Sequence, residues 1–515
     1  MLTRFAATPL GRDRALRLIP DHDPGGIQAA LRETREARAA LAAEGEPPWA
    51  GVTDVRPTLV EATPPGAVLD GPALVALGLT LGAAARLVAY GRAIPAPGFA
   101  ERCRSLATCP ELADAIHHDL DPEGRFLDRA SPRLRALRRQ GQLWREELQA
   151  RLERLLDHPA VAPALQERYV TVRNGRYVLP VRGDARRAVR GIVHDRSASG
   201  ATLFVEPDEL IDLNNQLTQR DLEERDEERR LLGELTARVH GRLPDLERLV
   251  EELGTLDLVF ARAALAERLD AVEPEVAEGA DLTLLAARHP LLVAQSWEGG
   301  APVVPVDVRV PADRPGLVIT GPNAGGKTVA LETCGLLVLM AQAGCHVPAA
   351  PGSRVPVCDR VHAVIGDEQS LAQNLSTFSS FVHQVREILA AVTPRSLVLL
   401  DELGAGTDPA EGAALGAALL EALLDRGARV IATTHLEPLK VFAEIDPRLE
   451  NAAVAFDAER LAPAFRVEYG RPGPSYALTI GARLGLPASL IARARGHLSG
   501  ESRRLETLLA ALAAR

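Results

Sequence analysis

Leu317–Thr320 and Gly321–Thr328, LVIT followed by GPNAGGKT, carry the reading on which the rest of the chain depends. The octapeptide fits GxxxxGK[ST], follows a short apolar strand and opens the helical TVALETCGLLVLMAQAG, the context that gives this pattern its meaning. Gly321, Gly325 and Gly326 leave a backbone free to wrap phosphate with its N–H groups turned inward, and Pro322, Asn323 and Ala324 complete the loop. Lys327 then reaches the β- and γ-phosphates, the Thr328 hydroxyl holds Mg2+, and the helix N-terminus adds partial positive charge. Lys327 is one of two lysines in the chain, Lys440 being the other; the remaining 57 basic residues are arginines.

Seventy-four residues after Lys327, SLVLLDELGAGTDP closes an apolar strand on Asp401 and Glu402. A strand ending in a carboxylate beside the phosphate loop supplies a contact to Mg2+, and the next acid is placed to orient or deprotonate an attacking water. ARVIATTH ends a further strand in His435, where a γ-phosphate-sensing histidine would sit, although a lone strand-end histidine also serves structural ends. Between these segments lies LSTFSSFVHQVREIL. Ser376 or Thr377 there suits an ordinary helix N-cap, and a serine at a helix N-terminus is equally an anion-binding device.

The 515 residues leave room for several structural units. With 46% apolar and 25% charged residues the chain is not a disordered one. Its net charge of −10 excludes a uniformly basic surface but not a local basic patch. No secretion signal is read at MLTRFAATPLGRDRALRLIP, and no apolar run is read as approaching the ~20 residues of a membrane span, so a cytoplasmic protein without membrane contact is expected. Cys103, Cys109, Cys334, Cys345 and Cys358 show no zinc or CxxC spacing and read as free thiols.

Along the chain, residues 1–160 are helical in pattern, and 131–155 form a basic amphipathic helix. Residues 168–206 alternate as strands around Asn174-Gly175, a hairpin signal, with eight arginines against two aspartates between Arg168 and Gly200. Helix returns over 208–270, with Leu210, Leu213 and Leu217 on one apolar face and Leu231, Leu235, Val239 and Leu243 on another. The polar run TQRDLEERDEERR between them reads equally as a solvent-crossing helix or as a loop. From about 281 the pattern is α/β, with strands at Gly316–Thr320, Ser396–Leu400 and Ala428–Thr433 in a mostly parallel sheet.

GPNAGGKT, LSTFS, LLDELGAGTDP and TTH, in that order, resemble the ATPase domain of the MutS family within the ABC superfamily. ARHPLL (Ala287–Leu292) and GRPGPSYALTIGARLGLPASLIARA (Gly470–Ala494) resemble its flanking segments. TRFAATPLGR and the 168–206 stretch resemble the second bacterial branch, the MutS-II paralogues. The resemblance implies a multidomain chain: an α-helical core and lever over 1–280 with an Arg-rich clamp-like insertion near 168–206, an ABC-type P-loop ATPase domain over 281–500 with C-terminal dimerisation helices, and the start of a linker helix at 501–515. It implies ATP and Mg2+ at Asn323, Lys327 and Thr328, with Asp401 organising the metal, Glu402 as catalytic carboxylate and His435 as phosphate sensor. Ser376 would act in trans across a homodimer whose interface includes Gly470–Ala494.

For function, the resemblance implies an ATP-gated clamp on branched or double-stranded DNA that suppresses recombination, with Arg173, Arg176, Arg182, Arg186, Arg187 and Arg190 as phosphate contacts. The alternative is a ribosome-splitting ATPase whose same arginines meet ribosomal RNA, and a solvated basic ribbon is the plain reading of the charge run. A transporter subunit is disfavoured, because no LSGGQ occurs. Phe99-Ala100-Glu101 matches a mismatch wedge in letters but lies between helical segments and is rejected as one. The end at ESRRLETLLAALAAR reads as mid-helix, so a chain lacking the Smr nuclease domain, without endonuclease activity, is expected.

Overall fold

The computed structural model describes residues 1–94, 97–321, 325–366, 377–457, 462–471, 473, 478, 481–482 and 485–497. A helical body comes first: α1 (Pro9–Leu16), α2 (Pro24–Glu44), α3 (Arg56–Ala62), α4 (Gly71–Ala93), α5 (Pro97–Arg104), α6 (Pro110–Asp119) and α7 (Pro132–Leu156). Four of its starts share one device. Thr8, Asp23, Asp70 and Ser131 each accept a backbone N–H of the first turn, and proline in that turn presets the helical φ.

One helix runs against expectation. α4 is 23 residues long with a mean hydropathy of 1.7 over its most apolar window, long and apolar enough to cross a membrane. Here Leu74, Leu77, Leu81 and Leu87 are at most 1% exposed, so this apolar run forms the centre of the helical body. Phe99 belongs to the same core, its ring edge-on to Phe260 at 4.9 Å, which leaves no wedge to present.

After α7 the chain forms β1 (Thr171–Arg173), β2 (Arg176–Arg182), β3 (Gly191–Arg196) and β4 (Thr202–Pro207), an antiparallel sheet in the order β1-β2-β4-β3. The hairpin read at Asn174-Gly175 is present; both residues have positive φ, 52° and 74°, as a two-residue turn of matching twist requires. The sheet is tied to α8 (Ile211–His240) by buried Asn214, whose Oδ1 accepts Tyr177 N at 3.2 Å and whose Nδ2 donates to Tyr177 O at 3.3 Å. Asn214→Ala should destabilise this unit by about 2 kcal/mol, because two backbone groups lose partners where water is excluded. Hydrogen exchange over residues 171–207 reads the effect.

The polar run 218–230 is helix throughout, within the 30 residues of α8, and spans part of a rod about 45 Å long. It does not cross solvent alone. Arg138 of α7 reaches Glu224 and Glu228 at 2.9 Å each, Arg145 reaches Asp221 at 2.9 Å, and Arg220 lies buried across Gly141. Leu243 is not on this helix. The chain breaks at Gly241-Arg242 and restarts as α9 (Leu243–Leu269), which runs back through the helical core.

In the seam, buried Glu227 is bonded to Arg230 at 2.8 Å and to the Ser131 hydroxyl at 2.7 Å, which holds its carboxyl at about 2 against burial pushing upward. Its stabilisation is fully present above the ordinary 4.5 and is lost as pH falls through about 2. Acid titration should therefore show Glu227→Gln less stable than the parent at neutral pH, the gap closing across that window. A gap that persists at the acid end contradicts the assignment.

The α/β part contains β5 (Glu275–Ala277), β6 (Leu282–Ala287), α10 (Pro290–Ser296), β7 (Val306–Val310), β8 (Gly316–Thr320), α11 (Lys327–Gln342), β9 (Arg354–Pro356), β10 (Arg360–Val364), α12 (Thr377–Ala391), β11 (Ser396–Leu400), α13 (Pro409–Leu424), β12 (Arg429–Thr434), α14 (Glu437–Ile445), β13 (Leu449–Asp457), β14 (Ala462–Tyr469) and α15 (Ala488–His497). The main sheet runs β10-β11-β12-β8-β13-β14, parallel except for β14. A second sheet runs β5-β9-β6-β7, so pairing with the α/β part already includes Glu275. Every residue of β8 and β11 is buried, as strands covered on both faces must be. Ile27 and Leu31 of α2 pack into this core, joining the two parts of the chain.

Candidate active site

Because β11, β12 and β8 are neighbours and parallel, their C-terminal ends open onto one crevice, the usual place for a ligand in such a sheet. Gly321 leaves β8 with φ 133°, and a Cβ there would meet Val454 O at 3.2 Å. Gly326, at φ 89°, is the N-cap residue before α11. Pro322, Asn323 and Ala324, between them, lie outside the described residues, as does Ser376; α12 begins at Thr377.

Lys327 is buried, and its Nζ donates to Gly321 O at 2.6 Å. Burial lowers its pKa, opposed by the nearby carboxylates of Glu402 and Asp401. Thr328 Oγ1 donates to Asp401 Oδ2 at 2.8 Å. The other oxygen of Asp401 accepts the Thr433 hydroxyl and, at 3.2 Å, the Glu402 N–H. Thr433 Oγ1 accepts that same N–H at 2.8 Å. Thr433 therefore holds Asp401 in place and fixes the turn after it. The turn has an unusual backbone: Glu402 sits at φ 48°, a left-handed conformation costly for this residue type, with its side chain exposed. His435 is exposed immediately beyond β12.

Two cavities flank the loop. One, of about 300 Å3, is lined by Thr328, Val364, Gly366, Gln384, Asp401 and Glu402. The other, of about 490 Å3, is walled mainly by apolar groups including Leu292, Val303, Val304 and Val329, and reaches Gly325 and Gly326. A hydroxyl and a carboxylate 2.8 Å apart are the hard oxygen donors Mg2+ prefers, and one or two such groups suffice when phosphates and water complete the shell.

Two contributors were not singled out for chemistry in the sequence. Thr433 lies in the TTH triplet, in the shadow of His435. Lys440 has its signal in lysine scarcity: it is 2% exposed, donating to Glu437 Oε1 at 2.6 Å and Gly473 O at 2.9 Å. Gly473 N in turn donates to the Thr320 hydroxyl at 2.7 Å, so Gly473 is held between the second lysine, on α14, and the strand that carries the phosphate loop.

The six arginines named in the 168–206 unit divide. Arg176 is bonded at 3.0 Å to Glu206, which is wholly buried, and Arg186 donates to the carbonyls of Val189 and Gly191, so both hold the unit together. Arg173 lies over the Phe204 ring at 4.4 Å, with Asp195 at 3.5 Å; Arg182 has Asp184 at 3.5 Å. Arg187 and Arg190 are exposed and make no side-chain hydrogen bond or ion pair among the described residues. The same holds for Arg196, a residue outside the six expected phosphate contacts.

Strand, phosphate loop, helix and an acid-ended neighbouring strand together define a P-loop nucleotide-binding domain. Residues 317–500 match the family model described as MutS domain V. The chain is 44% identical over 99% of its length to Endonuclease MutS2 of Pelotomaculum thermopropionicum, 42% over 99% to that of Geobacillus thermodenitrificans and 45% over 97% to that of Thermomicrobium roseum. It spans 64%, 65% and 64% of those proteins' lengths. Residues 317–500 are a MutS domain V, and over nearly its whole length the chain is similar to proteins of the MutS2 branch.

Proposed function

We propose that this chain is an ATP-hydrolysing, DNA-binding protein that works as a homodimer, with ATP binding and hydrolysis gating its grip on branched DNA and thereby restraining recombination. The observation that carries the nucleotide half is the Thr328–Asp401 hydrogen bond beside the phosphate loop, with Glu402 the next residue. In this reading Lys327 exchanges the Gly321 carbonyl for β- and γ-phosphate oxygens, and the apolar cavity at Val303, Val304 and Val329 receives the base. Mg2+, held by Thr328 and Asp401, would neutralise charge developing on the phosphates. Glu402, turned out of its strand by the left-handed backbone, orients and deprotonates the attacking water. His435 senses the γ-phosphate, and Ser376 completes the site of the second copy.

The DNA half rests on Arg187, Arg190 and Arg196, exposed at one end of a rod formed by α7 and α8 whose roots lie in the helical body. Contacts of this type read phosphate geometry, which suits shape recognition. The ribosomal alternative draws on the same chemistry, so the deciding experiment measures ATPase rate with four-way junction DNA, single-stranded DNA and ribosomes side by side. Stimulation by the junction above the other two supports the proposal; stimulation by ribosomes alone overturns its DNA half.

A further inference from the structure

A groove of about 420 Å3 runs between α1 and α9, far from the phosphate loop. Leu10, Leu18, Val250 and Leu258 contribute its apolar walls, and Ile19, 79% exposed, stands at its edge. Four arginines line it, and three of them have carboxylate partners. Arg14 is bonded to Glu251, Arg17 lies 3.0 Å from Asp13, and Arg56 lies 2.9 Å from Asp13 and 2.7 Å from Asp54. The fourth, Arg262, is 7% exposed and has no hydrogen bond or ion pair among the described residues; its Nε is wholly buried without a partner. Glu33, whose charge acts on it, is itself held by Arg102 at 3.0 Å.

A buried guanidinium with unsatisfied donors is costly unless an anion meets it. We propose that this groove is a binding site for a small organic anion, its apolar part along α9 and its carboxylate or phosphate on Arg262. Burial disfavours the charged form of Arg262, which an arriving anion would reverse. The site also has a mechanical address. Arg262 Nη1 lies so close to Gly344 that a Cβ there would come within 2.7 Å, and Gly344 follows α11, whose first residue is Lys327. A ligand on Arg262 would thus sit at the far end of the phosphate-loop helix.

The test uses the full chain carrying Lys327→Ala, so that the phosphate loop does not compete for anions, with inorganic phosphate and octanoate as separate probes followed by calorimetry and thermal unfolding. Saturable binding of either probe is expected, phosphate or octanoate selecting the headgroup class, and Arg262→Met should weaken it at least about tenfold, as expected when one charge-assisted hydrogen bond is removed. Should Arg262→Met fail to fold, Thr255→Trp, which fills the groove and keeps the arginine, must weaken binding likewise. Absence of saturable binding at millimolar concentration overturns the proposal, as does equal affinity in the parent and in the folded variants.

Discussion

Glu402→Gln should bind ATP as the parent does and turn it over about 10²–10⁴-fold more slowly, the contribution of a well-placed general base. The substitution keeps the size of the side chain at a position whose φ of 48° tolerates few changes, and it leaves the Glu402 N–H on Thr433 Oγ1. It removes one of the carboxylates that offset the burial of Lys327, but bound triphosphate supplies far more negative charge to that ammonium. Single-turnover hydrolysis beside equilibrium binding of a fluorescent ATP analogue separates the two quantities. If affinity falls along with rate, the residue maintains the pocket, and the catalytic assignment is lost.

Reversing Arg187, Arg190 and Arg196 to glutamate together should weaken junction binding by about a hundredfold or more, and should reduce the dependence of log K on log salt by up to about 3, near 0.9 for each phosphate left without its arginine. The choice of residues comes from the structure. Arg176 and Arg186 belong to the basic run but hold Glu206 and two backbone carbonyls, so their replacement would disturb the sheet itself. The exposed trio can be changed with little effect on the unfolding temperature, since surface substitutions away from such interactions are nearly neutral. An unaltered affinity and salt slope would remove this face from the DNA interface.

Periodicity and turn chemistry made much of this chain legible. Gly316–Thr320 and Ser396–Leu400 are strands at the bounds read from their apolar runs, and Ala428–Thr433 is shifted by one residue, to Arg429–Thr434. Asn174-Gly175 turns a hairpin because both residues tolerate positive φ, a property of the residues themselves. The five cysteines are free, as their spacing indicated. The polar run 218–230 was undecidable locally, since the groups that support it, Arg138 and Arg145, lie some 80 residues earlier on a different helix. The reading that no apolar run approaches a membrane span missed α4, whose window is long and apolar enough; such a window has the same composition whether protein or lipid surrounds it, and only its packing shows that it is buried here among the other helices.

By itself, the order of residues determined the strand–loop–helix at Gly321–Thr328, the acid-ended strand at Asp401 and the basic hairpin, because each rests on local backbone preference and short-range spacing. Only the tertiary structure decided that Thr433 steadies Asp401, that a distant glycine, Gly473, is held between Lys440 and Thr320 of the phosphate-loop strand, and which arginines remain open to a partner. Those outcomes depend on pairings across tens or hundreds of residues, and a charged side chain carries no mark of whether its counter-charge will be a neighbour in its own fold or a phosphate arriving from solution.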